Sequence, residues 1–458
     1  MIAGSQGNAG NSILDWSRFG LETIFALATA RGRGGVAVIR ISGPCASKAL
    51  QELSGRAMGP PRMAEVRRLF DPATKEELDE ALVLGFRGPH SFTGEDVVEL
   101  HLHGGLAVVD SVIDGLGKIA GLRLAEPGEF SRRAVENGKF DLSAAEGIAD
   151  LIEAETSAQR KQALRQMGGA FGNLCDSWRE RLIKSLAYVE ADIDFADEDL
   201  PDDLSLSVMP GLTSLMEEIG GFLADKRGEK IRDGVFVAVV GPPNAGKSSL
   251  VNFLAGRDAV IVSAEAGTTR DVVEVRLTVA GIPVTVCDTA GLREAEGLVE
   301  KEGIRRAKIA ADDADLRIWM MDAQVGTAAD FGETLPEDFQ VCNKVDAVAG
   351  FSAGSGQFGV SVNTGVGMGD FLEAFEGKIT SLFGGVETPV VTRNRHRVEL
   401  TACVEALQSA CMVAAGSGET ALVAEELRRA VRSLGRITGR VDVEDLLDVV
   451  FRDFCIGK

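Results

Sequence analysis

The feature that most constrains the fold of this chain is an apolar run at residues 235–240, followed at once by the loop GPPNAGKS at residues 241–248. The loop has the spacing of a phosphate-binding P-loop, and a preceding strand is the context that this motif requires. Glycine permits the tight turn, and backbone N–H groups at the start of the next helix surround the phosphates. Lys247 would reach the β and γ phosphates, and the Ser248 hydroxyl would bind Mg²⁺. The sequence therefore predicts a nucleotide-binding α/β domain.

A second motif, DTAG at residues 288–291, follows an apolar run at residues 283–287. The carboxylate of Asp288 would lie at the end of a strand, within reach of the magnesium shell, and Gly291 would offer a backbone N–H to the γ phosphate. Alone, such a tetrapeptide is typical of an ordinary turn. Its position after the P-loop predicts a second phosphate-side element of the same nucleotide site.

The base-side element is NKVD at residues 343–346, which resembles the guanine-specificity motif. A carboxylate at Asp346 can accept both N–H donors of guanine at once, a pairing that adenine cannot provide. A looser match to a further base-side element, SVN, follows at residues 361–363. The three main motifs in this order predict a GTPase of the Ras-like type.

The segment GTTRD at residues 267–271 is the candidate first switch, with a threonine that would close on Mg²⁺ when the γ phosphate is present. Leu292 occupies the position at which Ras-like enzymes place a water-orienting glutamine. Catalysis must therefore come from elsewhere, and acids further along the chain are candidates. Any of them alone would be typical of a solvated helix carboxylate. They are Glu294, Glu296 and Glu300.

Charge and cysteine content restrict what the chain binds and where it acts. The formal net charge of -21 argues against a surface coated for nucleic acid, so a nucleic-acid substrate would need a local basic patch or a partner. Arg132 with Arg133, and the arginines at residues 393–397, are candidate patches, although a solvated face is the more ordinary interpretation. The seven scattered cysteines lack zinc-site or disulfide spacing, and we find neither a secretion signal nor an apolar stretch of ~20 residues. We expect a cytoplasmic protein with no membrane segment.

Composition and periodicity divide the chain into blocks. A tail rich in Gly, Asn and Ser at residues 1–20 precedes β-like runs and turns, which predict a small α/β domain at residues 21–135. Apolar stripes at helical spacing predict helices at residues 136–230 and 385–458, on both sides of the nucleotide block at residues 231–384. Neither helical half completes a core alone, so we expect one helical domain with the GTPase domain inserted into it.

Stretches outside the GTPase motifs point to one family. They are GRGGVAVIRISGP at residues 32–44, SFTGEDVVE at 91–99, NGKFDL at 137–142, and the terminal residues 442–458, which end in CIGK. From about residue 23 to its last residue, the chain resembles the MnmE family, also called TrmE, of tRNA modification GTPases. The resemblance implies a multidomain α/β and all-α fold, with an N-terminal α/β folate-binding domain, a helical domain and an inserted P-loop GTPase domain.

The resemblance also implies an activity and partners. In this family, the protein acts on tRNA in a heterotetramer with an FAD-containing flavoprotein, MnmG. Together they install an aminomethyl or carboxymethylaminomethyl group at carbon 5 of the wobble uridine of certain tRNAs. A tetrahydrofolate derivative, 5-formyl- or 5,10-methylene-tetrahydrofolate, supplies the one-carbon unit. The family further implies a homodimer whose GTPase domains meet when K⁺ and GTP are bound.

Family positions carry over where the motifs match. Asn244 corresponds to a ligand of a K⁺ ion that neutralises charge between the β and γ phosphates, wrapped by the loop at residues 263–268. Glu265 in that loop departs from the apolar residue common in the family, but the ligand there would be a backbone carbonyl. Glu300 aligns with the catalytic glutamate, and Cys455 with a C-terminal cysteine thought to act near the modification chemistry; an inert thiol is the alternative. A carboxylate can pair with the N–H donors of a pterin, and cations with the carboxylates of folate. The implied folate contacts are Arg40, Glu99, Lys139 and Lys458.

These motifs and family positions give the full set of expected site residues. The expected catalytic residues are Glu300, Lys247 and Cys455. Mg²⁺ is expected on Ser248 and Thr269, and K⁺ on Asn244, Ser263, Glu265 and Thr268. GTP contacts are expected at Asn244, Ala245, Gly246, Lys247, Ser248, Ser249, Ser263, Ala264, Glu265, Ala266, Gly267, Thr268, Thr269, Asp288, Thr289, Ala290, Gly291, Asn343, Lys344 and Asp346.

Other interpretations of the same residues stay open at this point. A ribosome-assembly GTPase can share the P-loop asparagine but would not need the segments around Arg40 and Glu99 or the terminus at Cys455. A non-catalytic, nucleotide-regulated scaffold would show no GTP turnover on its own. On one predicted strand, period two puts Glu99, His101 and His103 on the same face. That face could line a pocket, form a metal site with a fourth ligand, or be an ordinary solvated face.

Overall fold

The structure of the chain is a computed structural model. It describes residues 22–194, 207–258, 273–288, 309–325, 338–354, 356–385, 390–416 and 419–441, together with residues 447, 450, 451, 454 and 457. The tail predicted at residues 1–20 lies outside this part of the chain. The described residues form two compact units, one from residues 22–145 and 439–457 and one from residues 146–438.

The first unit contains a mixed six-stranded sheet and helices. Its elements are β1 (Thr23–Leu27), β2 (Ala37–Ser42), α1 (Ala46–Ser54), β3 (Ala64–Phe70), β4 (Glu77–Phe86), β5 (Val97–Leu102), α2 (Leu106–Gly117), β6 (Leu122–Leu124) and α3 (Glu129–Glu136). The strand order is β3-β4-β5-β2-β1-β6, in which β6 is parallel to β1 and all other neighbours are antiparallel. The β-like runs predicted from the sequence correspond to β2, β4 and β5. The pattern does not predict β3 because this edge strand is largely exposed and carries two arginines.

Two faces of this sheet meet different helices. Ile39 and Leu100 are register partners in β2 and β5, and both lie in the core formed with α1 and α2. Successive strand residues point to opposite faces. Their neighbours Arg40 and Glu99 therefore lie on the other face, where Phe130 of α3 packs against β1.

A helix, α4 (Leu142–Glu153), leads from the first unit into the second. The remaining elements are α5 (Ser157–Met167), α6 (Ala170–Asp194), α7 (Met209–Ala224), α8 (Arg227–Asp233), β7 (Val235–Val240), α9 (Lys247–Asp258), β8 (Val273–Val279), β9 (Ile282–Asp288), β10 (Leu316–Asp322), β11 (Phe339–Asn343), β12 (Gln357–Gly359), α10 (Met368–Phe383), α11 (Asn394–Gly416) and α12 (Thr420–Thr438). Along the chain, helices thus precede and follow a block of alternating strands and helices.

One helical core joins the segments before and after that block. Trp178 of α6 and Leu215 of α7 pack in the same buried cluster as Leu407 of α11 and Leu434 of α12. The stripes at three- and four-residue spacing in the sequence supply these buried positions. The buried cluster therefore contains residues from both sides of the block.

Helix α11 is, by length and composition, the one helix of the described chain that could cross a membrane. Its buried side chains, Leu400, Cys403 and Leu407 among them, pack in the helical core. Core packing accounts for the apolar side chains on the buried face of this helix. The sequence analysis did not single out this stretch, in which Glu405 and Gln408 stand among the apolar residues.

The sheet of the central block has the strand order β12-β11-β10-β7-β9-β8. All neighbours are parallel except β8, an edge strand antiparallel to β9. Strand β7 lies between β9 and β10, so the loops after β7, β9, β10 and β11 leave from one edge of the sheet. Ligands of such sheets bind outside the carboxyl ends of the strands, where the strand order reverses. The predicted fold class is confirmed, whereas the domain boundaries stay a prediction.

Candidate functional site

The loop after β7 has the backbone of a phosphate cradle that ends in a helix beginning at Lys247. Gly241 and Gly246 have φ angles of 147° and 97°, and Asn244 has a φ of 60°. A Cβ at Gly246 would collide with the side chain of Asn343, so only glycine fits there. The turn that the glycines predicted is therefore present, directly before the N-terminus of α9.

The side chain of Lys247 lies inside this loop and is 5% exposed. Its Nζ donates hydrogen bonds to the carbonyl oxygens of Gly241, at 2.9 Å, and Pro242, at 2.8 Å. These contacts hold the ammonium over the loop backbone, where a bound phosphate would meet it. The structure thus places Lys247 where the P-loop motif predicts it.

Asp288 ends β9, and it is in register with Val239 of the neighbouring strand β7. Its side chain is buried, and Ser248 Oγ donates a hydrogen bond to its Oδ2 atom. A hydroxyl and a carboxylate are oxygen ligands of the kind that Mg²⁺ prefers. The two predicted phosphate-side groups, which are 40 residues apart in sequence, therefore meet at the end of the P-loop.

Asn343, the last residue of β11, links its own loop by hydrogen bonds to the P-loop and to the loop at residues 361–363. Its Nδ2 donates to the carbonyl oxygen of Ala245 in the P-loop at 2.9 Å. Its Oδ1 accepts a hydrogen bond from the Val362 N–H at 3.1 Å. The looser sequence match at residues 361–363 therefore lies beside the stronger motif. Buried amide groups that satisfy both donor and acceptor in this way fix the relative positions of phosphate-side and base-side loops.

The rest of the NKVD motif follows β11. Lys344 has a φ of 64° and its Nζ lies 2.7 Å from Oδ2 of Asp322, the last residue of β10. Asp346 lies in the next turn and is exposed. Asp322, which none of the motifs contains, therefore lies beside the NKVD motif. A carboxylate that closes an apolar strand at the same sheet edge as Asp288 is the signal that could have found it.

The remaining predicted residues divide into two groups. Ala245 is buried in the P-loop, and Ser249 is exposed in the first turn of α9. The others lie outside the described part of the chain. They are Ser263, Ala264, Glu265, Ala266, Gly267, Thr268, Thr269, Thr289, Ala290, Gly291, Glu300, Cys455 and Lys458.

In the first unit, Arg40 and Glu99 are register partners on β2 and β5. Arg40 Nε and Nη2 each lie 3.0 Å from Glu99 Oε1. The guanidinium carbon also lies 5.1 Å from the ring centroid of Phe92 and 5.7 Å from that of Phe130, distances typical of cation–π contacts. Both side chains of the pair keep part of their surface exposed, 20% for Arg40 and 17% for Glu99. Two of the residues expected to contact folate are thus adjacent and accessible.

Lys139, a third residue of that expected set, reaches the loop between β4 and β5. Its Nζ donates to the carbonyl oxygen of Pro89 at 2.6 Å. Phe92 belongs to the same loop, and its ring centroid lies 5.7 Å from that of Phe140. Arg40 and Lys139 therefore both contact the loop that carries Phe92.

The sheet face beside Glu99 does not form the metal site considered from the sequence. Within the described residues, no three His, Cys, Asp or Glu side chains come together as metal ligands. His101 Nε2 lies 3.6 Å from Glu99 Oε2, whereas His103 Nδ1 lies 2.7 Å from Oδ1 of Asp79. The His103 N–H also donates to Asp79, so this histidine is directed away from the pair of Glu99 and His101.

The first arginine cluster proposed from the sequence is neither a basic patch nor a solvated face. Arg133 is 2% exposed, and it pairs with Glu129 at 2.9 Å and with Glu95 at 3.1 Å. Arg132 is also buried and pairs with Glu136. Burial without pairing would be strongly unfavourable for these charges, and the glutamates provide the pairing.

The second cluster, at residues 393–397, is also a set of partly or fully buried ion pairs. Arg395 Nε lies 2.6 Å from the carboxylate of Glu146, and His396 Nε2 lies 2.8 Å from it. Burial alone would raise the pKa of Glu146, but the charges and hydrogen bonds of Arg395 and His396 hold it well below its usual range. The other two arginines of the cluster are paired as well. This cluster is therefore neither the candidate basic patch nor the solvated face that the charge run indicated. The sequence did not reveal the ion pairs because the acidic partners are distant in sequence.

In the central block, the P-loop follows a central strand of a largely parallel sheet, and two further loops with nucleotide-binding motifs lie at the same sheet edge. Here those loops carry Asp288 beside Ser248 and the NKVD motif held to the P-loop by Asn343. The fold and the site together define a P-loop GTPase.

Comparisons with known proteins narrow this class. A family model described as GTP-binding protein TrmE N-terminus matches residues 23–139, and one described as MnmE helical domain matches residues 142–455. The protein named tRNA modification GTPase MnmE of Parvibaculum lavamentivorans is 56% identical over 440 residues, which cover 96% of this chain and 100% of that protein. Proteins of the same name from Paramagnetospirillum magneticum and Rhodospirillum rubrum are 50% and 49% identical, over 95% and 96% of this chain and 100% of each relative. This chain belongs to the MnmE family of tRNA modification GTPases.

Proposed function

We propose that this chain is a potassium-dependent GTPase that acts with an MnmG-like FAD flavoprotein. Together they would add an aminomethyl or carboxymethylaminomethyl group to C5 of the wobble uridine of certain tRNAs. A tetrahydrofolate derivative would supply the one-carbon unit. Membership of the MnmE family supports the two coarser parts of this function, tRNA modification and GTP hydrolysis. The observation that carries the proposal is the convergence of Lys247, Ser248, Asp288 and Asn343 at one sheet edge.

In the nucleotide site, the chain's own groups bind and orient the triphosphate. The loop from Gly241 to Lys247 surrounds the phosphates with backbone N–H groups, and the Lys247 ammonium moves from loop carbonyls to phosphate oxygens. Asn343 keeps the base-side loop at a constant distance from the P-loop. Asp346 accepts the two N–H donors of guanine from its exposed position.

Two ions complete the proposed site. Ser248, with Asp288 beside it and Thr269 from the first switch, would hold Mg²⁺, and the oxygen character of these side chains fits that ion. Asn244 would be a K⁺ ligand. It is exposed on the P-loop with a φ of 60°, and its amide can supply an oxygen ligand. The ions supply positive charge between the phosphate groups when bound.

The proposed catalytic glutamate and the rest of the potassium loop come from the family resemblance. Glu300 would orient the attacking water in place of the glutamine that Leu292 replaces. The loop carbonyls and side chains that wrap K⁺ are proposed at Ser263, Glu265 and Thr268. Cys455 is proposed to act on the modification side of the molecule.

The proposed folate site uses the face of the N-terminal sheet that carries Arg40 and Glu99. Glu99 can accept N–H donors from a pterin, and Arg40 orients its carboxylate. Phe92, stacked under Arg40, offers an apolar surface for a flat ring. Lys139 supplies a cation for the carboxylates of the ligand, and the terminal Lys458 is proposed as a second one.

We further propose a cytoplasmic homodimer that joins the flavoprotein in a heterotetramer and binds tRNA. The net charge of -21 supports a division of labour in which a partner supplies much of the contact with the phosphate backbone of the tRNA.

The decisive experiment is nucleoside analysis of tRNA from cells that lack this chain. We expect loss of the modified wobble uridine, and its return when the wild-type chain is supplied but not when Lys247→Ala is supplied. Unchanged wobble uridines in the deletion strain would overturn the proposal. If a variant without GTPase activity restored the modified uridine, tRNA modification would not depend on the nucleotide site.

Potassium is tested with purified protein. Replacing K⁺ by Na⁺ at matched ionic strength should slow GTP turnover by roughly 10-fold or more but leave GDP affinity nearly unchanged, because the ion acts on charge that builds up in the transition state. Asn244→Ala should slow turnover in K⁺ and remove the difference between the two salts. Equal rates of the wild type in both salts would contradict the ion site.

A further inference from the structure

Asp322 lies at the carboxyl end of β10, at the sheet edge that carries the nucleotide site. We propose that Asp322 is a positioning residue for guanine recognition. Its carboxylate holds the ammonium of Lys344 so that the aliphatic stem of this lysine forms a fixed wall for the base that Asp346 pairs with. This inference rests on the guanine site proposed at residues 343–346 and adds to it a residue that none of the motifs contains.

Both oxygens of the Asp322 carboxylate are engaged. Oδ2 lies 2.7 Å from Lys344 Nζ, and Oδ1 accepts a hydrogen bond from the Gln324 N–H at 2.9 Å. Asp322 is also the register partner of Asn343, and the Ala323 N–H donates to the carbonyl oxygen of Asn343 at 2.9 Å. The carboxylate is therefore held by the backbone on one side and presented to Lys344 on the other.

The backbone of Lys344 is also constrained. Its φ of 64° lies in the left-handed region, which is uncommon for a residue other than glycine, asparagine or aspartate. Such a conformation persists where the surrounding structure determines it, and such positions cluster at functional sites. Asn343 provides the constraint, because its side chain bonds the P-loop at Ala245 and the neighbouring loop at Val362.

Lys344 is thus held at both ends, by its backbone and by its ammonium. The Lys344 side chain keeps 39% of its surface exposed, whereas that of Asp322 keeps 13%. A lysine side chain has an apolar methylene stem below its ammonium, and such a stem can cover a flat purine ring. A lysine fixed before binding loses less side-chain entropy when the base arrives, and this raises affinity.

The hydrogen bond from Lys344 lowers the pKa of Asp322, as expected of a carboxylate that is paired with this lysine. The base is common to GTP and GDP and does not change during hydrolysis. The contribution of Asp322 should therefore appear in the affinity for both nucleotides and in KM, but not in kcat.

The test is the rate of GDP dissociation from the full-length protein carrying Asp322→Asn, measured with a fluorescent guanine nucleotide. We expect the dissociation rate and the Kd for both GDP and GTP to rise about 10-fold, with kcat at saturating GTP within about twofold of the wild type. Lys344→Met should give a similar loss. The double variant should lose little more than either single variant, because the two residues act as one unit.

Asp338→Asn is the matched control. Asp338 pairs with Arg317 at 2.8 Å and with Trp319 Nε1 at 3.0 Å, near the opposite end of β10, and it is nearly buried. This change should lower the thermal midpoint but leave GDP dissociation unchanged. Asp322→Glu, which retains the charge, should recover part of the affinity. A dissociation rate of Asp322→Asn within twofold of the wild type, or no faster than that of Asp338→Asn, would overturn the inference, and so would additive losses in the double variant.

Asp346→Asn separates this inference from the proposed guanine site. If Asp346→Asn leaves GTP affinity unchanged, the base site is misassigned and the proposed guanine contact fails. If Asp346→Asn weakens GTP binding but Asp322→Asn does not, the guanine site stands and only the positioning role of Asp322 is wrong.

Discussion

The described residues form two six-stranded sheets that present their candidate sites in different ways. In the sheet of the central block, parallel strands end at one edge, and the site consists of the loops that follow them. In the N-terminal sheet, antiparallel neighbours place Arg40 opposite Glu99, and the site lies on the face of the sheet. One site depends on backbone conformation in loops, and the other on the identity of side chains in register.

This difference has a physical basis. Carboxyl ends of parallel strands gather loops at one edge, where N–H groups and a helix N-terminus attract anions. Antiparallel pairing instead brings side chains on one face within contact distance across strands. We therefore expect the nucleotide site to respond to changes of backbone conformation as well as of side chains, and the N-terminal site to respond to changes of side chains. The four experiments below compare the two regions, in order of decreasing effect.

Lys247→Ala should have the largest effect. Loss of the ammonium that lies on Gly241 and Pro242 should reduce GTP hydrolysis by about 10²- to 10³-fold, the scale for removing one preorganised group from a charged transition state. Binding of a tetrahydrofolate derivative should be unaffected. Steady-state GTP turnover and folate titration are the measurements, with the exposed Lys226→Ala as control. Turnover within twofold of the wild type would mean that Lys247 is misassigned.

Gly246→Ala tests the dependence on backbone conformation. Its φ of 97° and the collision with Asn343 should lower GDP affinity by roughly 10-fold or more, because strain of ~1–3 kcal/mol enters the cradle. Gly256→Ala, in α9, is the matched control, since a Cβ there meets nothing within 4 Å. The control should raise the free energy of unfolding by up to ~1 kcal/mol through helix propensity. Similar behaviour of the two alanine variants would refute the backbone argument.

Arg40→Ala and Glu99→Gln test the N-terminal site through side chains alone. Each should weaken binding of a tetrahydrofolate derivative by about 10-fold, the scale for one charge-assisted hydrogen bond, and leave GTP turnover unchanged. Arg68→Ala, an exposed position on β3, serves as control and should leave both activities unchanged. The assignment would be wrong if isothermal titration showed equal folate affinity in wild type and Glu99→Gln.

The smallest effect concerns acid stability of the N-terminal sheet. Burial would raise the pKa of Glu129, but hydrogen bonds from Arg123 and the Glu126 N–H and the charge of Arg133 lower it. A carboxyl whose pKa is lower in the folded state contributes stability that is present above its unfolded value of about 4.5 and lost as pH falls through the folded pKa. Hydrogen exchange of amides in β1 should therefore speed up as pH falls below that value, after correction for the intrinsic rate.

Glu129→Gln should be less protected at neutral pH, and its protection should depend less on pH in the acid range. The same fall in protection with pH in both proteins would show that another group is responsible.

The sequence predicted some parts of the molecule well because their information is local. A P-loop specifies its own turn through the positions of Gly241 and Gly246, and the following helix provides the rest. The NKVD motif likewise specifies a loop of four residues. The helical stripes also predicted their elements, because a spacing of three and four residues puts apolar side chains on one side of a helix.

Asp322 and the arginine clusters were not predictable in the same way. Asp322 acts on Lys344 because β10 and β11 are neighbours in the sheet, and the residues are 22 apart in sequence. Arg395 was expected on a solvated surface, yet its partner Glu146 is 249 residues away. A periodicity or a charge run contains no information about such partners.

By itself, the sequence determined that this chain binds a guanine nucleotide through motifs whose chemistry is built into short segments. It also determined the family, through stretches that run nearly from end to end. Only the tertiary structure decided that Asn343 joins the base-side loop to the P-loop and that Arg40 and Glu99 are partners. It also decided that the arginine clusters are ion pairs. The reason is that strand order, register and burial depend on packing of the whole chain, and they determine which distant charges meet.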